Sequence, residues 1–225
     1  EKVKAAGIVG MGGAAFPTAV KLSPPKEKPI DTVIINGAEC EPYLTADYRL
    51  MIERPSEIVE GLKILMKVLG VNKGFIGIEN NKPDAIEKME EAVSSQQSAL
   101  SAENLQIKVC ALEVKYPQGA EKMLIKAATG REVPPRALPM DVRVVVQNIG
   151  TAIAVYEAAR YGKPLIERVV TVTGEGIGEP ANLMVKIGTL ISDIIEQCGG
   201  LKGDAGKVIS GGPMMGFAVS SLEVP

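Results

Sequence analysis

The sequence predicts an α/β protein in which a parallel sheet is covered by helices and a small second domain follows. Short, continuous apolar runs bounded by turn signals alternate with amphipathic helical stretches, the pattern of buried strands joined by crossover helices. Apolar residues make up 46% of the 225 residues but aromatics only 4%, with no Trp. A core built from Ile, Val, Leu, Met and Ala suits strands buried on both faces. After Gly162-Lys163-Pro164 the pattern changes to β-β-α-β, which sets a boundary between residues 1–163 and 164–225.

Taken in order, Val3–Val9 reads as helix or loop, and the glycine-rich stretch Gly10–Thr18 leads into a helical turn over Thr18–Leu22. Ser23-Pro24-Pro25 and the charged residues up to Pro29 form a surface loop. Asp31–Asn36 is the first strand. Gly37–Arg49 is polar and has no clear period. Glu57–Leu69 places Ile58, Leu62, Leu65, Met66 and Leu69 on one helical face and stops at Gly70. Phe75–Ile78 is the second strand, Pro83–Val93 a helix with a charged outer face, and Ser94–Ser101 a solvated linker or helix end. Ile107–Leu112 is the third strand, Gly119–Thr129 a helix, Val142–Val146 the fourth strand, and Thr151–Tyr161 the helix after it.

In the second domain, Val169–Thr173 and Met184–Ile187 read as strands and Leu190–Cys198 as a helix closed by Gly199-Gly200. Lys207–Ile209 is the last strand. About 60 residues lie near the lower limit for a self-supporting core, and the order suggests a small β-grasp domain.

Composition excludes several function classes. The net charge is −2 and basic residues are scattered, so there is no electrostatic footprint for nucleic acid or an anionic membrane. No apolar run is long enough to span a bilayer and no signal peptide opens the chain, which predicts a soluble, cytoplasmic polypeptide. Glu1 in place of an initiator Met suggests a segment of a longer protein. The absence of His removes Ser-His-Asp triads, Cys-His pairs and histidine-ligated metals. Cys40, Cys110 and Cys198 are far apart without a C-x-x-C pair, which argues against a disulfide framework or metal site here. Chemistry must rest on carboxylates, Lys, Tyr, Cys or a bound cofactor.

Gly10-Met11-Gly12-Gly13-Ala14-Ala15-Phe16-Pro17-Thr18 has the low bulk and backbone freedom of a phosphate cradle. It also suits an ordinary tight turn. It lacks the Gly-Lys-Ser/Thr ending of a P-loop, and Ala15 stands where the third glycine of G-x-G-x-x-G belongs. Lys21, one turn further, can reach a phosphate or face solvent.

In a parallel α/β sheet, ligands bind beyond the carboxyl ends of the strands. This singles out Asn36–Asp47, Lys115–Gly119 and Gln147–Thr151. Glu39 and Glu41 flank Cys40 and can hold ribose hydroxyls, a ring amide or a lysine, or be solvated loop acids. Tyr116-Pro117-Gln118-Gly119-Ala120-Glu121 opens a helix whose dipole favours an anion or an electron-rich ring edge. Asn148 and Thr151 are ligand contacts or a helix cap.

The succession GMGGAAFPT-x-x-K, NGAECEP, YPQGAEK and QNIGT resembles the flavin-bearing NADH-oxidising subunit of respiratory complex I. INGAECEPYLTADYRLM, KYPQGAEK and VTVTGEG bring the resemblance closest to the C subunits of Rnf electron-transport complexes, over nearly the whole chain. It implies a Rossmann-like flavin domain followed by a β-grasp domain of the soluble-ligand-binding (SLBB) type. It places FMN against Gly10, Gly12, Gly13 and Lys21, with Asn36, Glu39, Tyr116, Gly119, Glu121, Asn148 and Thr151 around the ribityl chain and ring. Phe16 and Glu41 match positions that contact NADH. Met11 and Ala15 depart from the arginine and glycine of the complex I loop, and the phenylalanines that sandwich adenine there have no counterpart.

The implied activity is NADH oxidation, with hydride passing to the flavin and single electrons to iron–sulfur clusters. The family's 4Fe-4S clusters belong to a part C-terminal to this region. The implied partners are the other subunits of the membrane complex, with a peripheral location on the cytoplasmic face of the membrane. The alternatives are a cobalamin-reducing flavoprotein of the same superfamily, and a non-catalytic ligand-binding or scaffold module in which the glycine loop is only a turn.

Overall fold

A computed structural model describes residues 1–203 and 205–225 and divides into two compact units. The larger comprises Glu1–Cys40 and Leu50–Leu165, the smaller Glu41–Arg49 and Ile166–Pro225. In chain order the elements up to Leu165 are α1 (Lys2–Ala5), α2 (Thr18–Lys21), β1 (Thr32–Gly37), α3 (Ala46–Glu53), α4 (Pro55–Leu69), β2 (Lys73–Glu79), α5 (Pro83–Ser95), α6 (Gln97–Ala102), β3 (Gln106–Leu112), α7 (Glu121–Thr129), β4 (Val144–Asn148) and α8 (Ile149–Tyr161). The alternation read from the sequence is present.

Three local readings are corrected. Ser94–Ser101 is mostly helical, as the end of α5 and the start of α6, because Leu100 is buried and anchors the polar stretch. The fourth strand begins at Val144, since Pro139–Val142 form a 3-10 turn and Arg143 takes a left-handed φ of 66°. The polar segment after β1 contains the start of α3.

The sheet order is β3-β2-β1-β4, and every neighbouring pair is parallel. The chain therefore moves outward from β1 through β2 to β3 and then returns to pair β4 with the other edge of β1. Ile34, Val144 and Val146 pack with Leu112, Leu124 and Ile125, which buries one face of the sheet under α7. Ile58, Val59, Leu62, Leu65 and Met66 of α4 are fully buried, and α4 packs against α8. Each such side chain contributes about 1.5–3 kcal/mol of transfer free energy. α4 stops at Gly70, in the left-handed conformation typical of a helix end.

Two ion-pair clusters fasten elements distant in sequence. Arg131 donates to both carboxylate oxygens of Asp31, at 2.7 and 3.2 Å, and to the Val142 carbonyl at 2.9 Å. The guanidinium of Arg54, at the start of α4, pairs with Glu57 at 2.5 Å and with Glu157 of α8 at 2.6 Å. Burial opposes ionisation of Asp31 and Glu157. Hydrogen bonds and nearby charges from Arg131 and Arg143 for Asp31, and from Arg54 and Lys163 for Glu157, outweigh it and hold both carboxyls below their ordinary range.

The smaller unit contains β5 (Glu167–Val172) and β6 (Ala181–Lys186) as an antiparallel pair, α9 (Ile191–Gln197), and a short antiparallel pair of β7 (Ile209–Ser210) and β8 (Phe217–Ala218). β8 is absent from the β-β-α-β expectation, because two residues are too few for a periodic signal. Val172, Ile177, Ile195 and Cys198 form its core. Thr45 is joined to β5 and β6, with its N–H donating to Thr171 Oγ1 at 3.1 Å and Asn182 Nδ2 donating to Thr45 Oγ1 at 2.9 Å.

A folded-state pKa below the unfolded value gives stability that is complete above the unfolded pKa and is lost as pH falls through the folded one. The urea midpoint should therefore hold between about pH 7 and 5 and decline below about pH 4, the ordinary carboxylate range. Glu157→Gln should lower the neutral-pH midpoint and flatten that decline. An unchanged acid limb in the variant would remove Glu157 as its source.

Candidate functional site

The register of β1 on β4 sets Asn36 opposite Asn148 at the carboxyl ends of the two strands. This is where the strand order reverses, and in such sheets the loops on either side diverge to leave a crevice. Asn148 is the N-cap of α8, its Oδ1 accepting from the Gly150 N–H at 2.8 Å and the Thr151 N–H at 3.4 Å.

The glycine loop rests on this junction. It is closed at its neck by the Gly10 N–H donating to the Phe16 carbonyl at 2.9 Å and by a bridge between Val9 and Pro17. The Met11 N–H donates to Thr151 Oγ1 at 3.1 Å. Gly12 lies against Asn148 so closely that a Cβ would stand 2.9 Å from Asn148 Nδ2 and 3.2 Å from its Cβ and Cγ. Space around Gly13 is open. Ala15 has a φ of 51°, so the alanine in the third-glycine position adopts the conformation that favours glycine.

Asn36 ties the turn after β1 to the turn before α7. Its Nδ2 donates to the Gly119 carbonyl at 2.7 Å and its Oδ1 accepts from the Ala38 N–H at 3.2 Å. The Gly119 N–H donates to Cys40 Sγ at 3.3 Å. Lys21 completes the cluster, its Nζ donating to Glu121 Oε1 at 2.5 Å and to the Val146 carbonyl at 3.1 Å. The expected residues thus fall into three contact groups at the ends of β1 and β4 and the turn into α7: Gly12 with Asn148 and Thr151, Asn36 with Gly119, and Lys21 with Glu121.

The other expected residues are placed as follows. Glu39 has a φ of 48°, a left-handed conformation that is costly for a side chain with a Cβ. Phe16 is 49% exposed, and Tyr116, joined to Pro117 by a cis peptide, is 40% exposed. Glu41 belongs to the smaller unit, where its two carboxylate oxygens accept from the Met214 and Met215 N–H groups, both at 2.9 Å.

Sequence reasoning missed Cys40 as an acceptor and gave no role to Glu79 or Lys82. Glu79 is almost fully buried and its Oε1 accepts from the Lys115 N–H at 3.4 Å. Lys82 Nζ donates to the Ala38 carbonyl at 3.0 Å. An acid closing a buried strand was the only available signal.

The family described as the Nuo51 FMN-binding domain matches residues 3–157, and the SLBB domain matches residues 169–218. Over 223 residues the chain is 56% identical to the C subunit of the proton-translocating ferredoxin:NAD(+) oxidoreductase complex of Clostridium ljungdahlii, covering 99% of this chain and 47% of that one. This chain belongs to the family described as the Nuo51 FMN-binding domain, and an SLBB domain follows it. Among its relatives, the C subunit of the Na(+)-translocating ferredoxin:NAD(+) oxidoreductase complex of Acetobacterium woodii is 51% identical over 98% of this chain and 48% of its own length. That of the ion-translocating oxidoreductase complex of Rhodobacter capsulatus is 52% identical over 100% of this chain and 42% of its own length. The chain thus spans about half the length of these Rnf relatives. The fold is shared with a chain of an NAD+-reducing [NiFe]-hydrogenase in the H2-reduced state, at a TM-score of 0.77 and 22% identity over 88% of this chain and 38% of that one.

The glycine loop yields two expected outcomes. Gly12→Ala should lower stability by about 1–3 kcal/mol, the cost of overpacking a close contact. Ala15→Gly should be neutral or stabilising by up to about 1 kcal/mol, because relief of the left-handed alanine outweighs the added unfolded-state entropy. Urea unfolding of each variant checks both, and loss of stability in Ala15→Gly would contradict the left-handed assignment.

Proposed function

We propose that this chain binds FMN at the carboxyl ends of β1 and β4 and serves as the NADH-oxidising electron-input segment of an Rnf-type ferredoxin:NAD oxidoreductase complex. The observation that carries the reading is the wedging of the glycine loop, through Gly12 and Met11, onto Asn148 and Thr151 at the strand-order reversal. The family match to an FMN-binding domain and the names of the Rnf relatives support it.

The residues fit the group. The loop offers backbone with little bulk, and in this reading the Lys21 ammonium, from the helical turn that follows the loop, serves the phosphate. That ammonium already pairs with Glu121 and the Val146 carbonyl, so a phosphate there shares it. Asn36, Glu39, Gly119, Asn148 and Thr151 supply carboxamides, a carboxylate, a hydroxyl and backbone groups for a polyhydroxyl chain and a polar ring edge. Tyr116 and Phe16 supply exposed aromatic faces, and Phe16 and Glu41 are the residues assigned to the nicotinamide nucleotide. Flavin, when bound, supplies hydride acceptance and single-electron release, which is why a chain without histidine can support this chemistry. The protein's own task is to hold the ring edge with fixed dipoles and charges, Glu39 and Glu121 among them. Other subunits of the complex are the partners in this reading, and iron–sulfur clusters outside this segment receive the electrons. No helix among the described residues is long and apolar enough to cross a membrane, which fits attachment to the membrane through those subunits.

Titration of the chain with FMN, followed by anaerobic addition of NADH, tests the proposal. The expected result is saturable quenching of flavin fluorescence at one FMN per chain and bleaching of the flavin band by NADH; a chain that takes up no FMN overturns it. Asn36→Ala should weaken FMN binding about tenfold, the scale of one lost buried hydrogen-bonding group. Glu41→Ala should raise the NADH concentration needed for half-maximal bleaching with FMN affinity kept. An unaltered NADH dependence would leave Glu41 only its contact with Met214 and Met215.

A further inference from the structure

Lys82 stands where local physics disfavours it. It occupies the N-cap position of α5 without making a side-chain cap, a place that favours Ser, Thr, Asp or Asn. Its positive charge sits at the positive end of the helix dipole. Its side chain is only 11% exposed, although burial of a lysine is costly without partners. A residue that breaks local rules in this way is expected to be held there by something non-local.

The partners supply the reason. Lys82 Nζ donates to the Ala38 carbonyl at 3.0 Å and to Asn81 Oδ1 at 3.2 Å, and lies 3.7 Å from Glu79 Oε2. The Glu79 side chain is 3% exposed and its other oxygen accepts from Lys115 N–H. Lys82 and Glu79 therefore bridge the ends of β1 and β2 and the turn that follows β3. Ala38 is pinned on both sides, its N–H by Asn36 Oδ1 and its carbonyl by Lys82. The next residue is Glu39, in the left-handed conformation. A strained backbone of this kind persists only where its surroundings over-determine it.

We propose that Lys82, supported by Glu79, is a positioning residue for the flavin site: by fixing the Ala38 carbonyl it holds Glu39 in its left-handed conformation and so aims the Glu39 carboxylate. This rests on the reading that Glu39 faces FMN. Lys82 itself touches no ligand, and its effect passes through the Ala38–Glu39 peptide.

The test is a double-mutant cycle on the full 225-residue chain, with FMN affinity read by fluorescence quenching and stability by urea unfolding. Lys82→Met should weaken FMN binding about tenfold, the scale of coupled residues in one network. Lys82→Met combined with Glu39→Gln should bind FMN no worse than Glu39→Gln alone, because both remove the same interaction. A purely structural role would instead give additive losses in the two variants, and that result overturns the proposal. So does Lys82→Met binding FMN as tightly as wild type. Should Lys82→Met fail to fold, Lys82→Ser, whose side chain is too short to reach the Ala38 carbonyl but suits the N-cap of α5, enters the same cycle with the same expected outcome. Failure of the wild-type chain to take up FMN overturns the flavin reading itself, and the positioning role with it; normal wild-type binding with an additive cycle overturns the positioning role alone.

Discussion

The parallel pairing of β1 with β4 is the constraint on which the candidate site depends. It places Asn36 and Asn148 side by side at the reversal of strand order, and the glycine loop and the turn before α7 are attached through those two side chains. Asn148 caps α8 and receives the glycine loop through its contact with Gly12. Asn36 spans from the turn after β1 to the turn before α7. A one-residue slip of either strand would leave Asn36 and Asn148 on opposite faces of the sheet. The buried faces of Ile34, Val144 and Val146 prevent that slip.

Around this pair, the polar groups mostly bind one another. Lys21 is held by Glu121 and the Val146 carbonyl, and Gly119 is held at both its backbone groups by Asn36 and Cys40. Such a network holds its donors and acceptors in place before a ligand arrives, which lowers the ordering cost of binding. The left-handed residues Ala15 and Glu39 lie within the two loops that the network supports. Strain at these positions is tolerated because the surrounding contacts are numerous and the strands below are rigid.

Much of the larger unit was legible in the sequence. Mainly apolar runs of four to six residues marked all four strands, since buried parallel strands need nearly continuous aliphatic side chains. The 3.6-residue period marked α4, with Gly70 at its end. The glycine loop and the polar strand ends stood out because phosphate cradles and crevice-lining loops need those residue types. Less legible was Gly37–Arg49, whose members divide between the two units. Glu41 shows why: its partners are backbone N–H groups of Met214 and Met215, and a backbone donor leaves no mark in the sequence. Lys82 was invisible for a related reason, because a lysine before a helix normally reads as a solvated surface charge.

By itself, the sequence determined the fold class, the alternation of strands and helices, the family resemblance and the set of residues that could serve a phosphate-bearing cofactor. Those are properties of periodicity, residue type and local spacing, and they survive without knowledge of distant contacts. Only the tertiary structure decided the strand order β3-β2-β1-β4, the pairing of Lys21 with Glu121, the grip of Lys82 on Ala38 and the assignment of Glu41 to the smaller unit. Each of these joins groups tens to more than a hundred residues apart, and long-range pairing is set by how the layers pack rather than by any local preference of the chain.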